Sequence, residues 1–220
     1  MADAATRLQT VRATIARAAK IARRDPGEVT LIAVSKRRSA AEIEALISKG
    51  VTDFGENRVA EVAEKWPALK AAYPQTRLHM IGQLQSNKAD EAVVLFDTIH
   101  SLDRPSLLTA LVAAGERAGR FPDVYVQVNV GDEAHKGGVA LDDLAGFLTT
   151  VRASPLALSG LMAMPPKGLE AGPYFALLAK LARRHDVTGL SMGMSSDFAT
   201  AVMLGATVVR VGSALFEDEA

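Results

Sequence analysis

The chain has 220 residues, of which 49% are hydrophobic and 23% charged, and this size and composition predict one soluble globular domain over residues 1–220. Lys and Arg together number 25, as do Asp and Glu, so the overall charge draws the protein neither to nucleic acid nor to an anionic membrane. Because cysteine is absent, a disulfide framework, a thiolate nucleophile and a cysteine-ligated metal site are excluded.

The first predicted element is an amphipathic helix that ends near residues 25–27. Its apolar residues recur every three or four positions; they are Leu8, Val11, Ile15, Ala18 and Ala22. Charged residues are spread through 1–20, so this segment does not have the pattern of a secretory signal. The apolar stretch 199–216 is interrupted by Arg210 and two glycines and is too short to span a membrane. We therefore expect a cytoplasmic protein.

A short apolar run at 29–34 is rich in β-branched residues and predicts a parallel strand that is covered on both faces. Residues 39–49 predict a helix with Ser39 as its N-cap. The same pattern of a strand followed by a helix then recurs along the chain. Further strands are predicted at 52–54, 78–81, 98–100, 124–130, 157–161, 189–191 and 207–211. Helices are predicted between them at 59–73, 88–95, 105–120, 142–153, 172–185 and 198–204.

About eight strands that alternate with helices predict an α/β fold, a (β/α)₈ TIM barrel with an extra N-terminal helix. A doubly wound open sheet is the alternative that this pattern leaves open. In a barrel, active sites lie at the C-terminal ends of the strands and in the loops that follow them. The residues directly after each predicted strand are therefore the candidates for function.

Lys36 directly follows the first predicted strand and is expected at the mouth of the barrel. Partial burial at this position would favour the neutral amine, which is the form that attacks an aldehyde to make a Schiff base. The neighbours Arg37 and Arg38 fit a second interpretation, in which Lys36 is an ordinary surface lysine at the start of a loop.

Two later loops have the composition of a phosphate site. Residues 191–197 are small and hydroxylated and lead into a helix, so their N–H groups and the Ser195 hydroxyl are able to converge on an anion. A second turn of this kind, 210–213, lies at the end of the eighth strand, and barrels frequently bind phosphate after strands seven and eight. Gly193 and Gly212 also suit tight turns alone, and Ser195 a helix cap. A lysine that faces both loops across a closed barrel predicts a phosphorylated carbonyl ligand.

Polar residues at other strand ends are candidates for the wall of the site. Asn57 follows the second strand and fits a contact to a cofactor ring as well as the cap of the next helix. His79 lies in an apolar strand, which favours a packed, hydrogen-bonded histidine over an acid–base catalyst. The four histidines have no matching carboxylate spacing and predict no metal site, and no GxGxxG, Walker or Gly-x-Ser-x-Gly motif occurs.

Seven blocks of sequence occur in an order that is typical of one family. They are AVSK at 33–36, FGEN at 54–57, HMIGQLQSNK at 79–88, SLD at 101–103, GLMAMPP at 160–166, SMGMSSD at 191–197 and RVGSALF at 210–216. With these blocks the chain resembles, over nearly its whole length, the pyridoxal-phosphate homeostasis proteins. Their fold is similar to the N-terminal barrel domain of alanine racemase, which is fold type III among proteins that bind pyridoxal 5′-phosphate (PLP).

The resemblance implies that Lys36 carries pyridoxal phosphate as a Schiff base, that the 195–196 loop and the 212–213 turn hold the phosphate, and that Arg210 approaches the pyridine nitrogen. The other implied cofactor contacts are Asn57, His79, Met192, Ser195, Ser196, Gly212 and Ser213. An arginine opposes protonation of the pyridine nitrogen and so weakens the ring as an electron sink. Lys136 matches a lysine that the family usually keeps, without an assigned role.

The implied function is intracellular vitamin B6 homeostasis, in which the protein binds, buffers or delivers pyridoxal phosphate to apo-enzymes, as a monomer or weak homodimer. Alanine racemases add a domain that supplies a catalytic tyrosine, and this chain ends soon after 210–214, so turnover is not expected. A weak amino-acid racemase is the alternative. A Schiff-base aldolase that acts on a phosphorylated sugar would share the lysine and the phosphate site but not the seven blocks.

Overall fold

The predicted opening helix packs its apolar stripe against the rest of the protein. A computed structural model describes residues 3–133 and 136–216. In it α1 (Ala4–Ile21) begins at an N-cap, Asp3, whose carboxylate accepts the Thr6 N–H at 2.7 Å. Leu8, Val11 and Ile15, which belong to the predicted stripe, are all buried. The helix is therefore held by tertiary packing of its apolar face.

After α1, strands and helices alternate through the described residues. The strands are β1 (Thr30–Val34), β2 (Asp53–Glu56), β3 (Arg77–Met80), β4 (Thr98–Leu102), β5 (Asp123–Gln127), β6 (Leu158–Met162), β7 (Gly189–Ser191) and β8 (Val208–Val211). The helices are α2 (Ala40–Ile47), α3 (Val59–Ala72), α4 (Ala89–Leu95), α5 (Pro105–Ala118), α6 (Leu144–Arg152), α7 (Gly172–Arg184), α8 (Phe198–Met203) and α9 (Ser213–Phe216). No helix within 3–133 and 136–216 has the length and apolarity needed to cross a membrane.

The strands close into a parallel barrel in which each one pairs with the next along the chain and β8 pairs with β1. At the closing seam Ile32 lies opposite Arg210, and Ala33 lies opposite Val211. Closure confirms the predicted TIM barrel with an extra N-terminal helix and excludes the open doubly wound sheet. Because all strands run in the same direction, their C-terminal ends form a single mouth.

The predicted fifth strand, 124–130, is too long. β5 ends at Gln127, and Val128 forms only an isolated bridge with Val139. The chain turns at this point, since the Val130 N–H donates to the Val128 carbonyl at 3.0 Å. Apolar residues continue past the turn because Val128 and Val130 are buried under the loop, and hydrophobicity alone does not distinguish such a loop from a strand.

The barrel interior contains a small apolar cluster formed by Ile32, Tyr125, Met162 and Val208. Two glycines make room for the Tyr125 ring, because a Cβ atom at Gly160 or Gly189 would lie 2.4 Å or 3.1 Å from its Cε1 atom. Several other buried side chains of the strands are polar, among them His79, His100, Ser191 and Arg210. Polar groups beneath the mouth of a barrel require internal partners, which the site supplies.

Candidate functional site

Lys36 lies in a turn at the C-terminal end of β1. The Ser35 N–H still pairs with Gly55 of β2 at 3.0 Å, and the Arg38 N–H closes the turn on the Ser35 carbonyl at 3.0 Å. Arg37 has a positive φ of 60°, which is uncommon for a residue with a side chain. The Lys36 side chain is exposed, so the predicted partial burial is wrong. The turn places Lys36 at the mouth of the barrel, as an exposed residue.

Helix α3 holds this turn from the outer side of the barrel. The Lys65 ammonium donates to the Ser35 and Arg38 carbonyls at 3.0 and 3.3 Å, which are the two ends of the turn. The ammonium also lies 2.8 Å from Oε1 of Glu56 and 3.3 Å from Oε1 of Glu61. Lys65 therefore binds the turn that carries Lys36, and its own ammonium is held by the carboxylates of Glu56 and Glu61.

Glu56 is completely buried on the side of β2 that faces α3. Its Oε1 atom accepts hydrogen bonds from the Ser35 hydroxyl at 2.8 Å and from the Trp66 indole N–H at 3.0 Å, besides the contact with Lys65. Its Oε2 atom has no hydrogen-bond partner among the described residues. A buried carboxylate of this kind depends strongly on its cation, because the interior provides no water to solvate it.

The two predicted phosphate loops come into direct contact. Ser195 lies in the loop after β7, and its hydroxyl oxygen accepts the N–H groups of Gly212 and Ala214 at 3.2 and 3.5 Å. The interpretation of Ser195 as the cap of α8 is wrong, because the N-cap position of that helix is Asp197. The Ser195 hydroxyl instead binds the first N–H groups around α9, so the loops after β7 and β8 form one surface.

Closure of the barrel decides how this surface lies relative to Lys36. The expectation that the lysine faces the loops across the barrel is wrong, because β1 and β8 are direct neighbours. A Cβ atom at Gly212 would lie 3.4 Å from Cβ of Val34, the last residue of β1. The Arg38 guanidinium stacks over the Phe216 ring of α9 at 5.2 Å. The lysine turn and the Gly212 turn are therefore adjacent parts of one rim.

Gly193 is required by the loop after β7. Its φ is +96°, and a Cβ atom would lie 2.6 Å from Cβ of Ala201 and 2.9 Å from Cα of Phe198. Gly193→Ala is expected to lower the free energy of unfolding by about 1 kcal/mol for the backbone conformation and roughly 1–3 kcal/mol more for the steric overlap.

The control for this prediction is Gly50→Ala. Gly50 also has a positive φ, of +78°, but a Cβ atom there would meet nothing within 4 Å. We expect that variant to lose only the conformational part, about 1 kcal/mol. Urea unfolding of both variants measures the difference, and equal losses would contradict the packing argument for the loop.

Arg210 is the buried cation of the site. Its guanidinium donates to the Ser191 carbonyl and hydroxyl at 2.8 and 2.6 Å and to the Ala163 carbonyl at 3.2 Å. Burial lowers the pKa of Arg210 to about 10, an effect that the Asp197 carboxylate partly opposes. Within 3–133 and 136–216 it forms no ion pair with a carboxylate. Arg210 is thus a cation at neutral pH, with an orientation fixed by neutral acceptors.

His79 is placed as the packed interpretation predicts. The residue is buried, its Nε2 atom lies 3.0 Å from Oδ1 of Asp53, and its Nδ1 atom lies 3.1 Å from Nε2 of His100. Both ring nitrogens are therefore engaged within the barrel interior, and the implied contact of His79 with the cofactor stays a prediction.

The other predicted contacts are distributed around the mouth. Asn57 is half-buried directly after β2, and its interpretation as a helix cap is wrong, because the N-cap of α3 is Arg58. Met192 is fully buried beneath the loop after β7, whereas Ser196 and Ser213 are exposed. The roles of these four residues toward a cofactor stay predictions.

Lys136 lies on the loop after β5. It is exposed, and its ammonium is 2.6 Å from Oε2 of Glu133. The preceding residue, His135, lies outside the described residues. The loop is tied to the barrel through the Gln127 side chain, which donates to the Gly137 carbonyl at 3.0 Å and accepts from Gln83 at 2.9 Å.

Sequence reasoning missed the polar residues Asp53, Lys65 and His100, and it did not predict the buried contacts of Glu56 and Ser191, which lie in two of the motifs. For some of them the sequence does contain a signal, because residues two positions apart in a strand lie on the same face. Ser191 is two positions after Gly189, which packs against the Tyr125 ring, so both belong to the inner face. That signal is weak in parallel strands, which are buried on both faces and read as continuous apolar runs.

Comparisons with known proteins bear on this site. Residues 7–220 match the family described as the alanine racemase N-terminal domain. A pyridoxal phosphate homeostasis protein of Pseudomonas aeruginosa is 39% identical over 224 residues, which cover 98% of this chain and 96% of that protein.

Two solved structures extend the comparison. The structure of PipY from Synechococcus elongatus with PLP bound superposes with a TM-score of 0.79 at 38% identity, over 92% of this chain and 99% of that one. Alanine racemase from Corynebacterium glutamicum has a TM-score of 0.65 at 20% identity, over 96% of this chain and 62% of that one. At that identity the second likeness shows the fold alone.

Proposed function

Because the chain belongs to the family of pyridoxal phosphate homeostasis proteins, we propose that it binds pyridoxal phosphate and contributes to vitamin B6 homeostasis by holding the cofactor without turning over a substrate. The observation that carries the proposal is one part of the barrel mouth, formed by the ends of the neighbouring strands β7, β8 and β1. It combines the amine of Lys36, the Ser195 and Gly212 loops, and the buried Arg210 guanidinium.

These groups fit the cofactor chemically. The exposed amine of Lys36 is free to add to the aldehyde, and loss of water then gives a Schiff base. The N–H groups of Gly212 and Ala214 are donors that a phosphate would share with, or take from, the Ser195 hydroxyl. No described carboxylate pairs with Arg210, so a nearby ring nitrogen would meet a cation.

Arg210 supports the part of the proposal that concerns turnover. Pyridoxal phosphate, when bound, stabilises a carbanion best if its ring nitrogen is protonated. A guanidinium that stays charged up to a pKa of about 10 opposes that protonation. We infer that the protein holds the cofactor in a form that stabilises carbanions poorly and passes it to apo-enzymes.

A weak amino-acid racemase is the second candidate function. The observation that favours it is the match of residues 7–220 to the alanine racemase N-terminal domain. Racemisation would require a group that removes the α-proton of an amino acid and another that returns it. Lys36 would be the candidate for the group that removes the α-proton, because its amine lies directly after β1 and becomes available once it is released from the cofactor.

Titration of the purified protein with pyridoxal phosphate tests the proposal. We expect a saturable visible absorbance band of the Schiff base, with one equivalent of pyridoxal phosphate bound at Lys36. The loaded protein, incubated with L-amino acids in deuterium oxide, is expected to leave the α-proton unexchanged. Absence of the band would refute cofactor binding through Lys36, and deuterium at the α-carbon would favour the racemase.

A further inference from the structure

A row of polar side chains runs through the barrel interior, from its N-terminal end to Arg210 at the mouth. Asp53 is the first residue of β2, His79 and His100 are the third residues of β3 and β4, and Ser191 is the last residue of β7. Arg210 of β8 completes the row, so that β2, β3, β4, β7 and β8 contribute one side chain each.

Consecutive members of the row lie at hydrogen-bond distance. Oδ1 of Asp53 is 3.0 Å from Nε2 of His79, and Nδ1 of His79 is 3.1 Å from Nε2 of His100. Nδ1 of His100 is 2.8 Å from the Ser191 hydroxyl, which also accepts from Arg210 at 2.6 Å. The histidines, Ser191 and Arg210 are all at least nine-tenths buried, so water does not replace these partners.

The chemistry of the two ends gives the row a direction. A carboxylate only accepts hydrogen bonds, so neutral His79 must carry its proton on Nε2. Its Nδ1 atom then accepts from Nε2–H of His100, whose Nδ1 atom accepts from the Ser191 hydroxyl. Arg210 only donates, which agrees with this direction. Without a carboxylate at position 53 the opposite direction would also be satisfied, because a serine oxygen is able to accept two hydrogen bonds.

The charges around the row favour a neutral imidazole at His100, in its middle. Burial, with the nearby His79 and Arg210, lowers the pKa of His100 well below its ordinary value. Burial by itself would raise the pKa of Asp53, but hydrogen bonds from His79 and Thr52 outweigh it, and the pKa lies below its ordinary value. Arg77 also lowers the pKa of Asp53, and its guanidinium pairs with Asp123 at 3.3 Å.

The N-terminal end of the row is in contact with a cavity. A volume of about 410 Å³ lies between α1 and the start of β1 and β2, and Asp53 lines it together with Arg12, Pro26 and Thr30. The Asp53 side chain retains 18% exposure, whereas that of His79 retains 7%. Solvent therefore reaches the acceptor at this end of the row.

We propose that Asp53, His79, His100 and Ser191 form one directional hydrogen-bond chain that positions the Arg210 guanidinium, with Asp53 as the residue that sets its direction. All four are positioning residues, since they act on the cofactor site through Arg210. The link to pyridoxal phosphate rests on the proposed function, whereas the chain itself is a property of the protein without cofactor.

The direction is tested on cofactor-free protein by long-range ¹H–¹⁵N spectra of the histidine rings at roughly pH 8, above the usual histidine pKa of about 6.5. His79 and His100 are both expected as Nε2–H tautomers. In Asp53→Asn the side-chain amide is able to donate as well as accept, so the direction is no longer constrained and the two histidines should populate the Nδ1–H tautomer together. A Nδ1–H tautomer in the wild type, or a change of only one histidine in the variant, would overturn the chain.

Its effect on the site is tested by the dissociation constant for pyridoxal phosphate. Ser191→Ala is expected to weaken binding about three- to tenfold and Asp53→Asn about two- to threefold, the loss of one hydrogen bond or less. Because Asp53 acts only through Ser191, the second substitution should have no further effect in the Ser191→Ala background. Additive effects of the two substitutions would refute the positioning role.

Asp123→Asn is the matched control. Asp123 begins β5 at the same end of the barrel and pairs with Arg77, but it lies outside the row. Its replacement is expected to leave the dissociation constant and both tautomers unchanged, and a change as large as that of Asp53→Asn would assign the effect to general electrostatics. If wild-type protein binds no pyridoxal phosphate, the proposed function fails while the tautomer experiment still decides the chain.

Discussion

Lys36→Ala is expected to abolish covalent attachment of pyridoxal phosphate while changing the free energy of unfolding by less than about 0.5 kcal/mol. The Lys36 side chain is exposed and makes no hydrogen bond or ion pair with the described residues, so its removal leaves no buried group without a partner. Borohydride reduction converts a Schiff base into a stable amine, and mass spectrometry of the reduced protein measures the adduct. We expect one adduct on Lys36 in the wild type and none in the variant.

Lys49→Ala is the control for this experiment. Lys49 is another exposed lysine, but it follows α2 and so lies toward the opposite end of the barrel. That variant should form the adduct as the wild type does. An adduct of equal yield in Lys36→Ala, mapped to a different lysine, would show that the cofactor is not anchored at the rim.

Lys65→Met is expected to lower the free energy of unfolding by about 3–5 kcal/mol. The substitution leaves the Glu56 carboxylate without its cation in a position where the residue is fully buried. It also removes the donor that binds the Ser35 and Arg38 carbonyls, so the turn that carries Lys36 loses its support from α3. Urea unfolding measures the first effect, and the rate of Schiff-base formation with pyridoxal phosphate measures the second.

A double variant separates these two effects. In Glu56→Gln/Lys65→Met the buried charge is absent, while glutamine still accepts from Ser35 and Trp66, so most of the lost stability should return. Slower Schiff-base formation should persist, because the turn still lacks Lys65. Recovery of the wild-type rate would show that Lys65 acts on the site only through stability.

Lys88→Met provides the exposed comparison. Lys88 and Glu91 form an ion pair at 2.7 Å with side chains 41% and 46% exposed. The loss of such a pair is expected to cost less than about 1 kcal/mol. If Lys65→Met lowered the free energy of unfolding no more than Lys88→Met does, burial of Glu56 would not strengthen its dependence on Lys65.

The candidate site shows where sequence reasoning succeeds. Lys36, the 191–197 loop and the 210–213 turn directly follow apolar runs, and in a parallel barrel every residue in that position belongs to the mouth. Their shared location could therefore be predicted without knowing any contact. Their order around the mouth could not, and Lys36 proved to lie beside the Gly212 turn rather than across from it.

The inward and outward faces of the strands were harder to predict. Glu56 and Asp53 lie on the same strand, yet Glu56 contacts Trp66 of α3 while Asp53 contacts His79 in the barrel interior. An apolar helix face covers one side of the strand and other strands cover the opposite side, so hydrophobicity does not distinguish them. For the same reason the loop after Gln127 resembled a continuation of β5.

The sequence by itself determined the alternation of strands and helices, the position of Lys36 after the first strand and the family of the protein, because these depend on local periodicity and on contiguous motifs. Only the tertiary structure decided that Lys65 supports the lysine turn, that Ser195 joins two loops, and that His100 meets Ser191 from 91 residues away. Such contacts depend on how the barrel closes and on the register of each strand with its neighbour. Those are properties of the whole assembly of strands, which no local segment of the chain specifies alone.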